Sequence, residues 1–134
     1  MSNKKPKIRF PTIRSPITLS VHSIIRMKQR AGLKTKEKRK LFVKRAADKG
    51  LLFSQIPNID EFKSFLSYYR RIIKSAKRKD KGVTVYFYQD FFILISIYGV
   101  ILTVIKIDSQ FKSIFQRIKN EINRIEESKD DDSK

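Results

Sequence analysis

The chain has no cysteine, no tryptophan and one histidine among 134 residues. No disulfide can form, and no nitrogen-and-sulfur metal cluster can be built from a lone histidine. A cysteine-free chain suits a reducing compartment, so a cytoplasmic location is expected. Gly32, Gly50, Gly82 and Gly99 are the four glycines, too dispersed for a phosphate-cradling loop. The mid-chain acids Asp48, Asp60, Glu61, Asp80, Asp90 and Asp108 show no pairing suited to a carboxylate dyad or a two-metal site. Neither a metal nor a cofactor is therefore expected. The opening MSNKKPKIRFP contains no apolar stretch, so no secretory signal is expected. Phe91–Ile105 is free of charge for fifteen residues, short of the roughly 20 that a spanning helix needs. It is also rich in β-branched and aromatic types, so no integral membrane segment is expected.

What the chain has in excess is positive charge. Lys and Arg number 31 against 13 acids, a formal net charge of +18. Residues 1–50 hold 16 of the cations against 2 acids, and residues 83–134 hold 7 against 8. A field concentrated in one half of a chain recruits polyphosphate, either nucleic acid or an anionic membrane surface. The plain alternative is a solvated basic face. Forty per cent hydrophobic residues, ten of them Phe, are enough for one folded domain.

Residues 1–16, basic and holding Pro6, Pro11 and Pro16, read as a flexible arm. A spacer is an alternative, and so is a segment folding Phe10 or Ile13 back onto the core. A single domain over 17–127 follows, then an acidic tail over 128–134. Ser20 to Arg30 suits a helix ended by Gly32, with Val21, Ile24, Ile25 and Met27 toward the core. Thr35 is placed to cap a second helix ending at Gly50. Its apolar side is narrow (Leu41, Phe42, Val43, Ala46) amid lysines. Leu51–Asn58 suits a loop or short extended piece. Ile59, Phe62, Phe65, Leu66, Tyr69, Ile72 and Ile73 recur at helical spacing. After Gly82 the pattern becomes β: Val83–Tyr88, Phe91–Ile97 and Val100–Ile107, joined at Gln89-Asp90 and Tyr98-Gly99. A last helix carries Phe111, Ile114, Phe115, Ile118, Ile122 and Ile125. The expected fold is α+β: N-terminal helices and a C-terminal helix packed on a three- to four-stranded antiparallel β-meander.

One stretch invites chemistry. In HSIIRMKQRAG, His22, Arg26 and Arg30 recur every four residues and form a cationic stripe with a titratable ring at its head. Metal-independent RNA cleavage needs only a proton acceptor, a proton donor and cations for the charge on phosphorus. His22 suits the first role, and Arg26 and Arg30 suit a phosphate clamp. A structural histidine near a helix start is the alternative.

The order HSIIRMKQRAG, KRAADKG, YQDFFILI and VILTVIKI resembles small phage- and Firmicute-encoded proteins of the barnase–EndoU–colicin–RelE superfamily. These are metal-independent ribonucleases in which N-terminal helices pack on a four-stranded antiparallel sheet. The resemblance spans about Val21 to Ile107. It implies an endoribonuclease of the toxin type, with His22, Arg26, Arg30, Tyr88 and Thr103 forming the site. It also implies RNA or a ribosome as partner, and an acidic antitoxin or immunity protein as inhibitor. Ser23 departs from the family's small alanine, Gln89 from a turn glycine and Phe91 from a basic residue. The sequence leaves catalysis and non-catalytic RNA or ribosome binding both open. RNA contacts are expected from Lys28, Lys36, Arg39, Lys40, Lys44 and Arg45, with Tyr86 stacking on a base.

Overall fold

In the computed structural model, which describes residues 8–79 and 82–132, the apolar runs after Gly82 form the centre of a sheet. They are β3 (Thr84–Tyr88), β4 (Phe91–Ile95) and β5 (Val100–Lys106), all antiparallel. Gln89-Asp90 joins the first two, and a four-residue turn joins β4 to β5. A break in register opposite Leu94/Ile95 re-aims the start of β5.

Two short edge strands extend this meander. β2 (Leu51–Leu52) pairs antiparallel with β3, and β1 (Thr18–Leu19) pairs parallel with β5. The order is β1-β5-β4-β3-β2, a five-stranded mixed sheet in an α+β fold. The expectation of three to four antiparallel strands covers β2 to β5 and misses β1. Two residues cannot show the period of two by which a strand is read. Gly99, at positive φ, permits the β1 contact: a Cβ there would lie 2.6 Å from the carbonyl of Pro16.

Register separates the two faces of the sheet. Phe87, Phe92 and Ile105 share one face, and Tyr86, Ile93 and Val104 share the other. On the first face Phe65 of helix α3 (Lys63–Lys79) stacks on Phe92 and packs at a tilt against Phe87. Phe115 of helix α4 (Ile114–Asp132) meets Phe87 edge-on. On the second, Phe10 lies 4.5 Å from the Tyr86 ring, and Phe42 of helix α2 (Lys36–Lys49) meets Tyr88 and Phe91. Helix α1 (Val21–Ala31) packs along β5. Both faces of β4 are therefore covered, and Phe92 through Ile95 are all buried.

Residues 8–16 are not a free arm. Phe10 and Ile13 belong to the core, and the Tyr86 hydroxyl contacts both the amide and the hydroxyl of Thr12. The fold-back alternative holds for this stretch, while residues 1–7 of the expected arm lie outside the described residues. Three prolines obscured it, although an isolated Phe among cations was its signal. At the other end α4 continues through Asp132, so the expected tail begins within a helix. Ser20 and Thr35 cap their helices, and Gly32 ends α1 at φ 65°. α4 starts later than its sequence suggests. Asp108 caps a separate 3-10 turn over Ser109–Phe111, and Ser113 at φ 67° breaks the chain before Ile114. Among the described residues no helix is long and apolar enough to cross a membrane. The uncharged run Phe91–Ile105 is two strands and their turn.

Two outcomes follow from this packing. Phe10→Ala should cost about 3 kcal/mol or more of unfolding free energy in a urea titration, as a core aromatic does and an arm residue does not. Tyr69 is buried against Phe65 and Phe92, and burial raises its pKa above the usual tyrosine value of 10.0. A raised folded-state pKa gives stability that is complete below about pH 10 and lost as pH climbs above it. Tyr69→Phe should therefore flatten the alkaline fall of the melting temperature.

Candidate functional site

Helix α1 presents a different face to the core than its pattern suggests. Ser23 and Met27 are fully buried, whereas Val21 is 76% and Ile25 45% exposed. The rotation follows from what β5 demands. Beyond its two-residue pairing with β1, the outer edge of β5 would leave carbonyls without partners. Ser20 N–H donates to Ile101 O, Ser20 Oγ to Leu102 O and Arg30 Nη1 to Val104 O at 2.7 Å. Reaching those acceptors turns Ser23, Met27 and Arg30 inward. The Ser23 hydroxyl is satisfied within the helix by Ser20 O.

The cationic stripe therefore exists, but its members differ in duty. Arg26 Nε donates to His22 Nε2 at 3.4 Å, and both side chains are at the surface. Arg26 also reaches Gln29 Oε1. Arg30 is committed to the sheet edge, and burial, then the Arg26 charge, lower its pKa. It stays charged, as guanidinium does in proteins. His22 and Arg30 sit roughly 12 Å apart along the axis.

The two sheet residues expected to complete this site lie apart from each other. Tyr88 is in register with Phe91 and Lys106, whereas α1 begins beside Ile101 and Leu102 at the other end of β5. Thr103 is half-buried, in register with Leu94, on the sheet face opposite Tyr88. Two strands over and three residues along put their backbones roughly 14 Å apart. Tyr86 is 2% exposed, bonded to Thr12 and covered by Phe10, so it has no ring face to offer a base. A strand's period of two cannot tell which side of a sheet will be covered twice.

The basic residues divide in the same way. Lys36, Lys40 and Lys44 recur every four residues along the exposed side of α2, and Lys28 is exposed on α1. Arg39 is half-buried and donates to Leu33 O, bracing the α1–α2 loop. Among the described residues the ion pairs are Arg117–Glu61 and Arg124–Glu121, and neither uses a cation of residues 8–50. No three His, Asp or Glu side chains among the described residues could share a metal ion.

The sequence pattern did not disclose a cleft of about 450 Å³ between α2 and the β3–β4 turn. Phe42, Tyr88 and Phe91 form its aromatic wall, with Phe42 5.9 Å and 5.6 Å from the other two rings. Leu33 and Leu41 extend the apolar surface, and Lys38, Arg45 and Gln89 complete the lining. Lys38, Leu41, Phe42 and Arg45 fall at helical spacing on one side of α2. Leu41 and Phe42 read as core from sequence, which hid the cleft. Tyr88 and Arg45 are the expected site residues that meet here.

Fold and surface together define a small α+β protein that carries an exposed lysine stripe on α2 and an aromatic cleft opening beside it. Comparisons with protein-family models, with curated proteins and with solved structures return no match.

The two arginine duties are separable by experiment. Arg30→Met should cost about 1.5 kcal/mol in urea unfolding, since a charge-assisted bond to an edge carbonyl is lost. His22→Ala, at the surface, should stay within about 0.5 kcal/mol of the parent.

Proposed function

We infer that this protein binds RNA, free or within the ribosome, through the exposed cations of α1 and α2, without cutting it. The observation that carries this reading is the stripe Lys36–Lys40–Lys44 together with Lys28, which is exposed and has no carboxylate pairing among the described residues. Each such cation placed on a phosphate releases a counterion, so affinity gained this way is steeply salt-dependent. The cytoplasm, where such RNA is abundant, is the proposed location.

The second reading is metal-independent cleavage of the ribonuclease-toxin kind, with an acidic inhibitor as partner. It is favoured by the contact between His22 and Arg26 on one exposed helix face. It is weakened by Tyr88 and Thr103 lying on opposite faces of the sheet, two strands apart. An anionic membrane surface offers the same helices a phosphate lattice, but nothing in the geometry favours it over RNA.

Filter binding across a salt series tests the first reading. Replacing Lys36, Lys40 and Lys44 by Gln should reduce the slope of log K against log salt by roughly 2 to 3. Binding that is indifferent to salt in the parent would sink it. Incubation with tRNA, rRNA and ribosomes in chelator, beside His22→Ala, separates the second. Cleavage by the parent and not by the variant would establish catalysis at His22.

A further inference from the structure

The cleft beside α2 has features that general phosphate contact does not require. Its wall is three aromatic rings, and Phe91 is only half-buried although it stands in the innermost hairpin. Lys38 and Arg45 stand seven residues apart on α2, roughly 10 Å along the axis. They therefore bracket Leu41 and Phe42, one cation at each end of an apolar patch. No carboxylate is part of the lining.

A second, independent observation concerns Gln89. It opens the two-residue turn between β3 and β4 at φ 54°. Turns of that length favour Gly, Asn or Asp where φ is positive, because a longer side chain is strained there. Glutamine has no such advantage, and its strained backbone holds an amide with two donors and one acceptor oxygen at the mouth of the cleft. Strain of this kind persists where the surrounding structure uses it.

Resting on the RNA-binding reading, we propose that the cleft takes one unpaired nucleotide of a single-stranded RNA. The base stacks on the half-buried Phe91, with the Phe42 ring standing perpendicular to it at 89° as a side wall; Gln89 hydrogen-bonds its edge, and Lys38 and Arg45 hold the phosphates on either side. Stacking on an aromatic wall with cations along the backbone is how single strands are held without strict sequence preference. A duplex keeps its bases stacked on each other and offers the cleft none. The protein thus carries two distinguishable surfaces, a lysine stripe indifferent to strandedness and a cleft that selects for it.

Fluorescence anisotropy of the full chain separates the two. The probes are a 5′-labelled single-stranded RNA on the order of ten nucleotides long and the same strand annealed to its complement. The single strand should bind about tenfold more tightly than the duplex. Gln89→Gly and Phe91→Leu should each remove most of that preference and leave duplex binding unchanged. Gln89→Gly should melt at the same temperature as the parent or higher, since it relieves the turn; this excludes misfolding as the cause of a loss. Equal affinity for both probes, or variants that lower both together, overturns the cleft proposal while the RNA reading stands. Binding of neither probe overturns both. Displacement of the strand by free 5′-nucleotides at equal concentration overturns the assignment to a strand.

Discussion

A middle strand that is apolar on both faces has to be covered twice, and most of this architecture answers that demand. Phe92, Ile93, Leu94 and Ile95 are buried in succession. Each large side chain contributes roughly 1.5–3 kcal/mol by leaving water, and a single layer of helices could bury only alternate ones. Phe65 and Phe115 supply one cover, with Phe111 against Phe65, and the N-terminal segments supply the other through Phe10 and Phe42. The half of the chain with most of the charge is thereby fixed to one side of the sheet. Among the described residues its lysines have only solvent or a ligand to face.

Much of this was legible. The helix ends were marked by Ser20, Thr35 and Gly32, and the hairpins by the switch to a period of two after Gly82. The helical spacing from Phe62 to Ile73 and from Phe111 to Ile122 identified the helices that cover one face. What the pattern concealed were decisions made between elements. Val21 and Ile25 look like core and are exposed, because edge carbonyls on β5 pull Ser20 and Arg30 toward themselves and turn the helix. Phe10 looks like part of a mobile arm and is core, because Tyr86 has an open ring face and a hydroxyl seeking a partner.

The candidate site shows the same division. The spacing of His22, Arg26 and Arg30 does produce a stripe, since periodicity within one helix is local. Its meeting with Tyr88 and Thr103 depends on sheet register and on which face each residue takes, neither of which is local. One slip in the pairing of β4 with β5, at Leu94/Ile95, sits between Thr103 and the start of the strand. The cleft at Phe42 and Phe91 arises where two elements meet at an angle that neither sequence segment encodes alone.

The contacts that fasten the N-terminal half are widely separated along the chain: 74 residues between Thr12 and Tyr86, 82 between Ser20 and Leu102, and 74 between Arg30 and Val104. Chains emerge from the ribosome N-terminus first, at about 5–20 residues per second. The segment from Phe10 to Arg30 must therefore wait until β5 has been made before it can dock. Long loops of this kind slow folding, since their closure entropy is met before any contact rewards it. During that interval helix α1, with Arg26, Lys28 and Arg30, is undocked beside the RNA of the machine that makes it. The last strand synthesised is the one that seats the first strand and the first helix.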